Sequence, residues 1–177
     1  MRTALNIAQV AILALMATSG SGLAQGSGAE ARLKQLNITL PADSAPAANF
    51  VNSVQAGKLL FLSGNTPGGQ WPLKGKVGKD LTVEQGYQSA RQTGLIMLTK
   101  VRTALGSLDR VKRVVKVLGM VNSAEDFSDQ PKVVNGFSDL MVEVFGEAIG
   151  KHARSAVGMA GLPGNAPVEV EMIVEVE

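Results

Sequence analysis

There is no cysteine in the 177 residues, which excludes a disulfide framework, a thiolate nucleophile and a cysteine-ligated zinc or iron–sulfur centre. Aromatic residues supply only 4% of the chain and charged residues 18%, with 17 Lys+Arg against 15 Asp+Glu for a net charge of +2. Nucleic-acid binders carry a clustered Lys/Arg face, and no such run exists here. Disorder is excluded by the low charge together with 45% hydrophobic residues. No apolar run is long enough to cross about 30 Å of hydrocarbon comfortably. What remains is one small-residue domain, since about 150 residues suffice to bury roughly 70% of the unfolded surface.

The first residues read as an address. Arg2 is followed by an apolar core from Val10 to Met16 and then by small residues ending Gly22-Leu23-Ala24, the layout of a secretory signal peptide. Residues 1–24 are therefore expected to be a signal cleaved after Ala24, and the product to be exported to a periplasm or secreted, with no membrane contact after removal. Residues 25–49, rich in Ala, Gly, Ser and Pro, read as an N-terminal arm with a short helical possibility around Glu30 to Leu36. The domain proper is 50–177.

Phe50 to Gln55 and Leu59 to Ser63 read as strands joined by the tight turn Ala56-Gly57-Lys58. Asn65 to Asp80, with four glycines and two prolines, reads as an exposed loop, in which Trp71 caps the core or meets another subunit. Thr82 and Gln85 form a capping-box pair, and Val83, Tyr87, Ala90, Gly94, Leu98, Val101 and Leu105 recur at helical spacing up to Gly106. Gly86 and Gly94 on that helix are expected to allow close packing on a sheet. Val111 to Val121 reads as a long strand, Val133 to Ala148 as a second helix, and Ala153 to Met159 and Val168 to Val176 as the last strands. The final one alternates apolar and Glu residues, as a half-buried strand requires. The order is ββαβαββ. Two helices cover one face of such a sheet, so the other face is expected to meet a copy of the same chain.

These segments resemble the RidA/YjgF family, also known as endoribonuclease L-PSP or reactive-intermediate deaminase. The likeness runs from about Ala47 to Val176. It is carried by Phe61-Leu62-Ser63-Gly64-Asn65-Thr66-Pro67, Gly78, Gly106-Ser107-Leu108-Asp109-Arg110-Val111, His152-Ala153-Arg154-Ser155-Ala156-Val157, Leu162-Pro163 and Val168-Glu169-Val170-Glu171. The resemblance implies an α+β, chorismate-mutase-like fold and a homotrimer packed through its sheets, with a ligand cleft at each subunit interface.

It also implies hydrolysis of 2-imino acids or their enamine tautomers to 2-oxo acids and ammonia. Arg154 matches the arginine that grips the substrate carboxylate, for which a guanidinium offers a planar fork that stays charged. Glu169 matches the acidic residue that orients water, and a carboxylate can accept or shuttle the proton of that water. Phe50 stands where a tyrosine is frequent, Ala156 where a cysteine is common, and Ser138 where the second helix carries an asparagine; these three complete the expected substrate contacts. No metal or cofactor is implied, and the expected partners are a small carboxylate metabolite and the chain itself. The alternative to catalysis is a non-enzymatic carboxylate-binding or holdase-like member of the family.

Other residues have plainer readings. His152, the single histidine, precedes a strand beside Lys151 and reads as a loop residue. Ser155 has no nucleophile motif around it and alternates away from Arg154. Lys112, Arg113 and Lys116 read as surface or cross-strand partners. The glycine loop lacks a Gly-Lys-Ser/Thr ending and reads as a rim of the cleft instead of a phosphate cradle.

Overall fold

The computed structural model describes residues 28–46 and 48–177; the expected signal segment lies outside them. The chain opens with a short helix, α1 (Ala29–Gln35), then a hairpin of β1 (Ser53–Ala56) and β2 (Leu59–Asn65), and a long helix α2 (Val83–Leu105). After a 3-10 turn come β3 (Val111–Asn122), α3 (Gln130–Phe145), a single helical turn α4 (Glu147–Gly150), β4 (Ala153–Met159) and β5 (Val168–Val176). The strands form one sheet in the order β1-β2-β5-β3-β4. Only β3 and β4 run parallel. This is the expected α+β, chorismate-mutase-like arrangement, with α1 added in front.

Local chemistry explains the elements. In the hairpin Ala56 lies opposite Leu59, so Gly57 and Lys58 form the turn; Gly57 takes φ +60°, which glycine alone enters without steric cost. The capping box is present: the Gln85 amide donates to the Thr82 hydroxyl at 3.2 Å, and the Thr82 amide donates to the Gln85 side chain at 2.9 Å. The second helix starts earlier than its apolar pattern suggested, because Pro131 seats its first turn. It also stops earlier: Gly146, at φ 77° and ψ 166°, breaks the run before α4. The first strand likewise begins at Ser53 and not at Phe50.

Helices α2 and α3 cover one face, and the core lies between them and the sheet, with Met97, Leu98, Val117, Phe137, Leu140, Met141 and Val174 fully buried. The glycines of α2 serve a different purpose from the expected one. A Cβ on Gly94 would sit 2.7 Å from Leu140 Cδ2, and one on Gly86 3.1 Å from Val133. The close approach is therefore helix on helix, α2 against α3, and not helix on sheet.

The arm is tied down. Glu30 of α1 accepts from Arg102 Nε at 3.0 Å and Nη2 at 2.6 Å, and from the Leu108 amide at 3.0 Å. Lys100, 3% exposed, pairs with Asp43 at 2.6 Å and also donates to the Ser44 carbonyl, clasping the arm to α2. The glycine loop is less free than its composition suggested. Val77 is fully buried and bridges to Ser123, while Lys76 Nζ donates to Asn122 Oδ1, the Ser123 carbonyl and the Ala160 carbonyl at 3.0, 3.2 and 2.7 Å. Trp71 Nε1 donates to Ser89 Oγ at 2.9 Å, so the indole is fastened to α2.

Among the described residues no helix lies on the opposite face of the sheet. Val54, Phe61 and Val157 lie there, 56, 41 and 39% exposed, beside a shallow cavity of about 260 Å³ that includes Lys116, Leu118 and Glu171. Among the described residues no helix is long and apolar enough to cross a membrane.

Candidate functional site

Register decides which strand residues share a face. Val117 of β3 stands between Met172 of β5 and Arg154 of β4. Paired residues project to the same side, and Val117 and Met172 are buried under the helices. Arg154 therefore points to the helix side at the β4 edge and meets α3. Its Nη1 donates to Asn135 Oδ1 at 2.8 Å and Ser138 Oγ at 3.0 Å, and its Nη2 to the Pro131 carbonyl at 3.4 Å. Asn135 and Ser138 are three residues apart on α3, hence neighbours on one helix face.

All three acceptors are neutral. None of the ion pairs among the described residues involves Arg154, so its positive charge is held in place without being compensated. Of the five N–H donors on a guanidinium, three are committed. Nε and one Nη2 hydrogen remain, the pair a carboxylate takes side-on in a bidentate contact. They belong to a residue lining an open cavity of about 460 Å³ with Ser138, Asp139, Val142, Lys151 and His152. Ala156, two residues along β4, shares the Arg154 face and packs on the core. Such a place can bind a small anion with geometric selectivity. Among the described residues no group of three or more His, Asp or Glu side chains stands close enough to hold a metal ion.

His152 joins this cluster. Its Nδ1 lies 2.7 Å from the Gly150 carbonyl, its Nε2 3.1 Å from Ser138 Oγ, and its ring meets Phe137 edge-on at 6.4 Å. Burial holds the imidazole below its ordinary value of 6.5, the Arg154 cation adds to the lowering, and the bond to Gly150 opposes it. The unfolded chain consequently takes up a proton first as pH falls, so this contribution to stability is complete above about 6.5 and is lost below it. The denaturation midpoint is expected to drop between about pH 7.5 and about pH 5.5, and the drop to shrink in His152→Gln. Glu169 titrates with the opposite sign but is common to both proteins, so the comparison isolates His152.

Glu169 is elsewhere. It pairs with Met120, which pairs with Val157, placing it on the helix-free face, opposite to Arg154. Its carboxylate sits over Gly64 in an irregular stretch of β2, where a Cβ would come within 2.3 Å of Oε1. Burial, and then the neighbouring Glu171, push the Glu169 carboxyl above the usual carboxylate range. Phe50, 54% exposed, precedes β1 at the far edge of the sheet, with β2, β5 and β3 between it and β4. Within one protomer, then, Arg154, Ser138 and Ala156 are gathered, and Phe50 and Glu169 are not.

Two contacts escaped the sequence reading. Asn135 is one; it stands one turn before Ser138 on α3 and accepts from Arg154, and its three-residue spacing from Ser138 was the available signal. The other is made by His152, which lies in the loop before β4 as expected but is half-buried there and partners Ser138. Ser155 points away from Arg154 as alternation requires and accepts from Lys116 Nζ at 2.9 Å, and Lys112 pairs with Glu177, both ordinary surface roles.

The family model described as "YjgF/chorismate_mutase-like, putative endoribonuclease" matches residues 30–176. A Trypanosoma cruzi protein called TCP17 is 48% identical over 149 residues, covering 82% of this chain and 92% of that one. A 2-iminobutanoate/2-iminopropanoate deaminase from Dermatophagoides farinae is 29% identical over 140 residues, 79% of this chain and 95% of its own. Among solved structures, a protein of unknown function from Agrobacterium tumefaciens superposes with a TM-score of 0.75 at 42% identity, covering 84% of this chain and 91% of its own. The match over residues 30–176 and the relative at 48% identity show that the chain belongs to the RidA/YjgF family.

Proposed function

We propose that the cleft at Arg154 binds the carboxylate of a small 2-imino acid or its enamine tautomer and promotes hydrolysis to the 2-oxo acid and ammonia. The observation that carries this reading is the uncompensated guanidinium, fixed by three neutral acceptors with a side-on pair of donors left over. Beside an open cavity, a guanidinium with no carboxylate partner of its own is available to an anion, and a bound carboxylate would supply the counter-ion. The relationship to a mite 2-iminobutanoate/2-iminopropanoate deaminase supplies the substrate class.

The chemistry asks little beyond placement. Arg154 holds the carboxylate, water adds to the C=N carbon while a nearby base relays its proton to the imine nitrogen, and the carbinolamine then passes its hydroxyl proton to that nitrogen as the C–N bond breaks, leaving the 2-oxo acid and ammonia. Glu169, its carboxyl raised above the usual carboxylate range by burial and Glu171, is suited to relay that proton. Because Glu169 and Phe50 stand away from Arg154 in one protomer, the reading includes a homotrimer in which a second copy brings its β1 edge and helix-free face to the β4 edge. The exposed Val54, Phe61 and Val157 suit that burial. The reading also retains export.

The separation of Glu169 from Arg154 favours a second reading, a carboxylate-binding protein without turnover, in which Ala156 and Phe50 line the ligand. Freshly generated 2-aminoacrylate and 2-iminobutanoate, offered to the purified protein, distinguish the two. The proposal expects ammonia release well above the buffer rate; ligand binding with release at the buffer rate would leave only the second reading.

A further inference from the structure

We propose that His152 is a positioning residue that sets the guanidinium of Arg154 through the hydroxyl of Ser138. The inference rests on reading Arg154 as the carboxylate anchor, and every hydrogen-bond direction in the chain follows from one fixed point. The Gly150 carbonyl can only accept, so Nδ1, 2.7 Å away, carries the imidazole proton. A neutral imidazole has one donor and one acceptor, which leaves Nε2 bare. Ser138 Oγ, 3.1 Å from Nε2, must therefore donate its only proton there. That turns the oxygen's lone pairs outward, and one of them receives Arg154 Nη1 at 3.0 Å. The sequence of donors is Arg154 to Ser138 to His152 to Gly150.

The surroundings hold this chain in one state. Phe137 meets the imidazole edge-on with the rings at 81°, limiting rotation, and the charged groups that share the cavity are Arg154, Lys151 and Asp139. Without an acceptor at Nε2 the Ser138 proton would be free to turn toward Arg154, replacing an attraction by a donor–donor contact. Asn135 would then be the remaining side-chain anchor of the guanidinium, and its free edge would lose a defined direction. A bidentate contact depends on that direction.

Side-chain replacements separate this role from simple packing. In His152→Gln the amide oxygen reaches the place of Nε2 and accepts from Ser138. In His152→Asn the amide nitrogen replaces Nδ1 toward Gly150 and leaves Ser138 without an acceptor. Calorimetry with 2-oxobutanoate is expected to show the Gln variant within about threefold of wild type and the Asn variant weaker by about tenfold. Ser138→Ala should lose affinity to a similar extent, and the Ser138→Ala/His152→Asn double variant no more than either alone, as members of one chain do.

Nitrogen-15 spectra of the ligand-free proteins provide a readout independent of binding. His152 is expected as the neutral Nδ1–H form, and the Arg154 Nη1 signal to persist in the Gln variant and fade in the Asn variant. Equal Arg154 spectra in both, or additive losses in the double variant, would overturn the positioning role. Absence of 2-oxobutanoate binding by wild type would instead remove the carboxylate anchor, while the spectra still decide what His152 does to Arg154.

Discussion

Replacing Arg154 with alanine is expected to abolish small-carboxylate binding and any imine hydrolysis while leaving the fold intact. A bidentate guanidinium–carboxylate contact contributes about 3 kcal/mol, so affinity should fall by about a hundredfold or more. Stability should change far less. The residue is only partly buried and its acceptors, Asn135, Ser138 and the Pro131 carbonyl, lie beside an open cavity where water can replace it. A loss of about 1 kcal/mol, or about 3 °C in Tm, is expected for a domain of this size. Titration of both proteins with 2-oxobutanoate alongside thermal melts checks the pair of values. A melt lowered by 10 °C or more would make Arg154 a structural residue.

The largest loss of stability is expected at the crossing of α2 and α3. A Cβ on Gly136 would lie 2.1 Å from the Tyr87 carbonyl oxygen and 2.9 Å from its carbon. Those are backbone atoms inside a helix, so unlike a side chain they cannot turn aside. Overfilling a packed contact typically costs 1–3 kcal/mol, and a clash with rigid backbone belongs at or above the upper end. Gly136→Ala is therefore expected to cost about 3 kcal/mol or more and to lower Tm by about 10 °C. Gly161→Ala is the control: nothing lies within 4 Å of its added Cβ, and its Tm should stay within about 2 °C. Because Asn135 and Ser138 ride on the same helix as Gly136, the destabilised variant should also bind carboxylates more weakly than its folded fraction accounts for.

Local signals carried most of the fold. The Thr82–Gln85 box, Gly106 and the helical repeat marked α2 at both ends, and the Val/Glu alternation marked β5, because capping and burial are written in neighbouring residues. Partnership across the molecule was less legible. Gly86 and Gly94 announced a close approach, but the sheet they were assigned to was the wrong partner; the right one, α3, depends on a helix crossing that no short window contains. The site shows the same division. Arg154 and Ser138 came from the family likeness, whereas Asn135 was passed over although it sits one turn away. Alternation along β5 put Glu169 opposite Val168 and Val170, but only the register of β5, β3 and β4 reveals that this is also opposite to Arg154.

The direct test of an anion held by an uncompensated guanidinium at the β4 edge is a crystal structure of the protein with 2-oxobutanoate bound. The account predicts both carboxylate oxygens on Nε and Nη2 of Arg154, the Nη1 contacts to Asn135 and Ser138 kept, and a second copy of the chain closing over the ligand. A ligand seated elsewhere, or an Arg154 paired in the crystal with a carboxylate side chain of the protein itself, would contradict it.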